Sequence, residues 1–529
     1  MYLHALFQKI DRSVLLPTLA LSVPPRYSRR PHQVALTAVY TMAENQKENQ
    51  ARLLEGNRAH TLMTTLRRHE GCRDVASVGL DVLFALTYDA VAGPNTVSTS
   101  VLREAGACHF VLDMLQAFPL CPEIYGPGLK ATACLLTLAE AHTFITGPEW
   151  CEVLCCSMRQ SLEVQDMPVI EICCRVLGSL ALHSEVNQVS LREAGACLMV
   201  CECLRKGICI GQALQAIADL AYDCPDNRRE LGRYDAVALV VKFIENDFMD
   251  MVIFDIALMA LTNLVQDDAY NAFRLQTQKV LFKEEGKECE LSLYALLSHR
   301  LGAVSLIFGE RACIIMMALS TFCVSDPKAQ SEIGDANGCW SVVKRVKFSA
   351  SGNPGEAHPE KCPNSDAAVM RQGLQLISDL AIQHSANQDR LREAGGIELL
   401  WLVLPELSRD PLDAARWLLT ASMLAENNSI NQKRLVDLGV PKKAMELYLQ
   451  FPEDEEVLDS TLSCLTALAA NNRSHQDHIG SLGACEMVCQ VAMRAVDNAH
   501  LLTRCCSFVL ALSELQKFDA YGRPLHIWR

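Results

Sequence analysis

The sequence predicts an all-α chain folded as a solenoid of about ten stacked helical units, and three observations carry that prediction. The first is a recurring phrase. Asn387-Gln388-Asp389-Arg390-Leu391-Arg392-Glu393-Ala394-Gly395 has near copies at Asn187 to Gly195 and at Asn431 to Gly439. The second is the interval at which the phrase returns, which has the length of a two- or three-helix repeat. The third is composition: 50% of the 529 residues are hydrophobic but only 6% are aromatic, which favours stacked helices over a β-sandwich.

Taken in order, residues 1–31 stand apart. Val14 to Val23 is apolar, Pro24-Pro25 breaks the run, and Arg26, Arg29 and Arg30 follow. A helical cap or a disordered extension fits this stretch. Mitochondrial targeting is the alternative, opposed by Asp11 and weak amphipathicity. The repeat array is expected over 32–516. Its glycine position is filled by Asn57, Gly106, Glu149, Gly195, Asp235, Lys279, Asn337, Gly395, Gly439 and Gly483. These lie 40 to 49 residues apart except for two intervals of 58. In the copy over 370–407, Met370, Leu374, Ile377 and Leu380 recur at helical spacing, as do Ile397, Leu400, Trp401 and Leu404 before Pro405. Gly395 supplies the left-handed turn between helices, and Asn tolerates that conformation better than Lys279 or Glu149 would.

Two stretches lengthen the repeat. Phe282 to Glu290 reads as a charged surface segment, and 349–366, rich in Gly and Pro, as a mobile insert. Pro452 to Glu456 reads as an acidic, solvated turn between helices. Residues 517–529 form a tail without a helical stripe, in which Trp528 is a candidate to cover the last unit.

With the phrase N-x-x-x-L-x-x-x-G and its following apolar helix in view, the chain over roughly residues 32 to 500 resembles the armadillo-repeat family. The resemblance implies a right-handed superhelix of three-helix units whose third helices line a concave groove. It also implies protein partners rather than turnover. In the family's nuclear-import adaptors, the groove repeats an Asn eight residues before the phrase, with Trp four residues earlier. Here those positions hold Ser179, Asp219, Asn263, Asp379, Met423 and Ala467, preceded by Arg175, Gln215, Met259, Gln375, Leu419 and Ser463. The missing Trp residues disfavour an import-type cargo adaptor. Arg175, Gln215, Asp219, Asn263, Gln375 and Asp379 are the candidate partner-binding residues, because an apolar stripe has no need of polar side chains there. Met423 and Ala467 suggest a drier C-terminal groove.

Chemistry of other kinds finds little support. No Gly-rich phosphate loop or G-x-S-x-G elbow is present, so no catalytic residue, cofactor or metal site is assigned. The net charge of −14 disfavours nucleic acid as the main partner. Most of the 24 cysteines lie among Leu, Val and Ala, which suits small hydrophobes in a reducing cytoplasmic or nuclear setting. Adjacent pairs such as Cys173-Cys174 point about 100° apart on a helix and chelate poorly. Oxidation remains open to exposed members. No apolar run is long enough to span a bilayer. The chain is thus expected to be a non-catalytic interaction scaffold, or the solenoid part of a larger signalling, cytoskeletal or ciliary protein.

Overall fold

A computed structural model describes residues 30–90, 92–119, 121–137, 144–182, 184–245, 251–284, 287–303, 309–350, 363–513, 516–518 and 524–526. These residues form thirty helices and three two-stranded antiparallel hairpins. Two compact units divide the chain, residues 1–264 and 265–529.

The helices fall into repeats. After a leading helix, Arg30–Ala43, come ten units: unit 1 begins at Lys47–Leu54, unit 2 at Thr96–Glu104, unit 4 at Glu185–Glu193, unit 5 at Pro225–Arg233, unit 6 at Ala269–Gln276, unit 7 at Pro327–Asp335, unit 8 at Ser385–Glu393, unit 9 at Ser429–Asp437 and unit 10 at Arg473–Ser481. Unit 3 is described by its second and third helices, Pro148–Val164 and Met167–Ala181.

Unit 8 shows why the chain folds this way. His384 caps the first helix, its Nδ1 accepting from the Asn387 N–H at 3.2 Å. Gly395 turns the chain at φ +83° into the second helix, Gly396–Leu407. Asp410 then caps the third helix, Pro411–Ala425, accepting from the Leu412 and Asp413 N–H groups at 3.0 and 3.3 Å. Trp417 is fully buried, with its indole N–H donating to the Leu400 carbonyl at 2.7 Å. Pro405 does not stop the second helix, which runs two residues further.

The phrase's Asn-Gln pair ties units together. Asn387 is fully buried and its Nδ2 donates to the Leu380 carbonyl at 3.1 Å and to Gln330 in the preceding first helix at 2.8 Å. Gln388 then reaches forward to the Met423 and Glu426 carbonyls at 3.0 and 2.9 Å. Asn431 and Gln432 repeat both contacts one unit later, and Asn187, Gln188 and Asn227 do so in residues 1–264. Arg228 and His475 substitute for a member of the pair, donating or bonding to Ala221 and Leu468 carbonyls at 3.0 and 3.1 Å. Each buried amide satisfies carbonyls that helix ends leave open, so the identity of this dipeptide is dictated by hydrogen bonding rather than by packing.

The glycine position holds at Gly106, Gly195, Asp235, Asn337, Gly395, Gly439 and Gly483, all left-handed. Three assignments need correction. In unit 1 the left-handed residue is Gly56, while Asn57 has φ −92°. In unit 3 it is Gly147, and Glu149 lies inside the helix. Lys279 instead starts a strand: Lys279–Glu284 pairs with Lys287–Ser292, Lys279 opposite Ser292, so the charged segment at 282–290 belongs to a hairpin. Buried Val280 and the β-forming run Val280-Leu281-Phe282 suit a strand there.

Within the 349–366 insert, Ser349 and Ala350 end the helix Gly338–Ala350, and Pro363 to Asp366 begin Pro363–Ala381. Residues 351–362 lie outside the described residues, as do 1–29 and Trp528. The acidic turn has a specific use. Asp454 caps Glu455–Ala469 by accepting from the Val457 N–H at 3.0 Å, and Glu455 and Glu456 occupy the positive first turn of that helix. In the tail, Gln516–Phe518 pairs with Pro524–His526.

Candidate functional site

The candidate face is the row of third helices. In residues 1–264 those of units 1 to 4 are Arg73–Thr87, Pro122–Leu135, Met167–Ala181 and Ile210–Ala221, packed in succession. Their apolar stripes point into the core, with Leu80, Leu129, Cys174 and Leu214 all buried. The positions between these stripes carry the polar side chains.

Arg175 is exposed and makes no hydrogen bond or ion pair among the described residues. It lies near Cys134 of the preceding third helix, a thiol that burial pushes up to about 11 against the opposing pull of Thr87 and Arg175. Gln215 and Asp219 are half-buried, and the Gln215 amide donates to Asp219 Oδ1 at 2.8 Å. Asp219 rests against Gly178 of the neighbouring helix. A Cβ at Gly178 would sit 2.5 Å from Asp219 Oδ2, so the close approach requires glycine. Asn263 donates to the Ala218 carbonyl at 3.0 Å.

Two further residues extend this face, and the sequence reading missed them. Lys130 stands where unit 3 has Arg175, and its Nζ lies 5.9 Å from the Phe84 ring centroid. Asp81 stands one unit earlier; burial raises its carboxyl and Lys130 opposes that shift. The available signal was Gly79, Gly128 and Gly373, each two residues before this position and each packed under a side chain of its own unit's second helix.

In residues 265–529 the third helices of units 6 to 10 are Gly309–Ser325, Pro363–Ala381, Pro411–Ala425, Glu455–Ala469 and Ala499–Leu512. Gln375 donates to both Asp379 carboxylate oxygens at 3.1 and 3.2 Å, and Ser320 of unit 6 donates to the same carboxylate. Burial nevertheless raises the Asp379 carboxyl above its ordinary range, with the Ser320 and Gln375 bonds opposing. Two clusters follow along the row. Asp413, 3% exposed at the side chain, accepts from Arg371 at 2.8 Å and Arg416 at 3.1 Å; Asp459 accepts from Arg504 at 2.9 Å, with His500 at 3.4 Å. Met423 and Ala467 occupy the next two ladder positions and are only partly exposed.

The structure therefore brings Arg175, Gln215, Asp219 and Asn263 onto consecutive helices of one compact unit, and Gln375 with Asp379 onto one helix of the other. Among the described residues, no group of three or more His, Cys, Asp or Glu side chains is placed to hold a metal ion. None of the described helices is long and apolar enough to cross a membrane.

No family model matches the sequence, and no curated protein matches it either. Solved structures do match. One is an engineered protein from a structural genomics consortium, with TM-score 0.53 and 15% identity over 94% of this chain and 98% of its own. Another comes from a structure of a phosphorylation switch that controls the interaction between cadherin and β-catenin, with TM-score 0.56 and 11% identity over 95% and 99%. A designed armadillo repeat protein matches 48% of this chain and 100% of its own, at TM-score 0.40 and 18% identity. The first two likenesses and the three-helix units show the fold: the chain is an armadillo-type α-solenoid.

Proposed function

We propose that this armadillo-type α-solenoid is a non-catalytic scaffold that binds segments of partner proteins along its third helices. The observation that carries the reading is Arg175. Arg175 is an exposed cation with no hydrogen-bond or ion-pair partner among the described residues, and the next third helix carries half-buried Gln215 and Asp219, an arrangement that suits contact rather than folding. Stacked units present such groups at fixed spacing on a rigid support, so many weak contacts add along an extended ligand. The neighbour at TM-score 0.56 comes from a structure of a partner-protein interaction, which supports the same use. Free thiols at all 22 described cysteines are consistent with a reducing compartment such as the cytoplasm.

The test is quantitative affinity capture with crosslinking, comparing wild type with Arg175→Glu. Arg175 is exposed and bonds nothing else described, so helical CD and Tm should match within error. Loss of a defined set of proteins from the variant alone supports groove binding. Coincident profiles at equal stability reject it at this position. Alanine substitutions at Asp219, Asn263 or Asp379 are poorer probes, because each also removes an internal hydrogen bond.

A further inference from the structure

Four of the described cysteines are exposed, and three of them, Cys485, Cys489 and Cys506, belong to unit 10. The repeat explains why cysteine stands there. Two residues past the glycine position, Cys485 takes the place of Cys108, Cys197, Cys339 and Ile397 in units 2, 4, 7 and 8, all of them buried. Cys489 takes the place of buried Cys201, Val343 and Met445 and of partly buried Leu112 and Trp401. On the third helices the register is fixed by Gln388, Gln432 and Gln476, which donate to the Met423, Ala467 and Ala511 carbonyls at corresponding places. That register sets Cys506 against Leu374, Leu418 and Leu462, and Val509 against Ile377, Ala421 and Leu465. The six counterparts are buried, whereas Val509 is 48% exposed. Met493 does not count, because its counterpart Leu449 is exposed as well.

Unit 10 therefore carries core residues on the face that each inner unit turns to its successor. A terminal unit ordinarily presents a polar outer face to water. Here Cys485, Cys489 and half-buried Ala492 recur at four- and three-residue spacing on the second helix, Ala484–Arg494, which is the seam spacing of two packed helices. We propose that this face is an interaction surface for a second copy of the chain, stacked end to end about a two-fold axis that passes close to Cys489.

Two observations select a copy as the occupant. Inside the chain the same positions are closed by another armadillo-type unit, so the contact continues an interface that units 7 to 10 already build. Charge permits it as well. The chain carries −14, so two copies repel over much of their surface. Residues 473–513 hold three arginines, Arg473, Arg494 and Arg504, and three carboxylates, Asp477, Glu486 and Asp497, for a net charge of zero. A two-fold contact sets a patch against itself, which a neutral apolar patch tolerates. The four side chains stay exposed with the hairpin of Gln516–Phe518 and Pro524–His526 present. The consequence is bivalence. One dimer offers two rows of third helices, and a partner with two binding segments gains from effective concentration.

The test is sedimentation equilibrium of the full chain from about 1 µM to about 100 µM in dithiothreitol. Wild type is expected to approach twice the chain mass. Val509→Glu and Cys489→Glu are expected to stay at the chain mass, because an unpaired charge buried in the interface weakens association at least about 100-fold. Both positions are exposed in the single chain, so helical CD should match wild type and a lost dimer is not a lost fold. A wild type that stays monomeric across the range overturns the proposal. So does a dimer that either variant retains at wild-type strength, or a species that grows beyond two chains, which would mean head-to-tail stacking. Truncation of residues 514–529 tests the rival occupant. A monomeric wild type whose Cys489 reacts with maleimide only after that truncation makes the tail the cover and overturns the proposal equally.

Discussion

The same Gln-Asp pair stands on a third helix in each compact unit, at Gln215/Asp219 and at Gln375/Asp379, yet the two pairs have different surroundings. Asp219 is followed one unit later by polar Asn263, and its row begins with Asp81, Lys130 and Arg175, which has no ion-pair partner among the described residues. Asp379 is held by Ser320 and followed by Met423 and Ala467, while the cations nearby, Arg371, Arg416 and Arg504, are already committed to Asp413 and Asp459. Identical side chains at identical register thus stand beside a polar row in residues 1–264 and beside cations already held in ion pairs in 265–529. Position in a repeat specifies where a side chain points. Its neighbours decide whether it remains available.

This contrast can be broken most directly at Asp413. Removing a buried carboxylate strands two arginines, and with Arg371 half-exposed the loss should be about 3 kcal/mol. Urea denaturation of Asp413→Ala measures it; an unchanged midpoint would mean that the cations are not committed after all. A smaller loss, about 2 kcal/mol, is expected for Asn187→Ala and for Asn387→Ala, because each strands two buried carbonyls. Equal losses in the two halves would show a shared spine, and a harmless change in either would refute it there. Gly439→Ala should cost about 1 kcal/mol from its left-handed backbone alone, since open space surrounds its Cβ position. Gly395→Ala should cost more, because Lys347 Nζ lies 2.5 Å from the new Cβ and would lose its 2.9 Å bond to the Ala394 carbonyl.

The finest test is pH. The folded Asp379 carboxyl titrates above the ordinary 3.8, so the folded chain binds that proton more tightly than the unfolded chain. Its contribution to stability is complete below pH 3.8 and is lost as pH rises through the folded value. Asp379→Asn removes the dependence, so the Tm of wild type should gain on that of the variant as pH falls from neutrality. Parallel Tm curves would show that Ser320 and Gln375 offset the burial in full.

Much of the architecture was legible because its signals are local. The phrase marks first helices, and the apolar stripes at three- and four-residue spacing mark the second and third. The glycine position failed at Asn57 and Glu149 because a neighbouring Gly56 or Gly147 can take the turn one or two residues away. It failed at Lys279 because the short apolar run Val280-Leu281-Phe282 pairs as a strand, and periodicity alone does not separate such a run from a helix segment. The candidate face was less legible. Periodicity located Arg175, Gln215, Asp219, Asn263, Gln375 and Asp379 on third helices, but Lys130 and Asp81 escaped because their units lack the phrase's Asn-Gln pair at the expected distance.

What the sequence by itself determined is the repeat: helix lengths, caps, left-handed turns and the buried Asn-Gln spine, all of which depend on residues within about one unit of each other. Only the tertiary structure decided which polar groups are consumed. Ser320 reaches Asp379 across 59 residues, and Gly178 makes room for Asp219. The physical reason is that periodicity encodes direction from an axis, whereas hydrogen bonding and burial depend on what the next unit brings within about 3 Å.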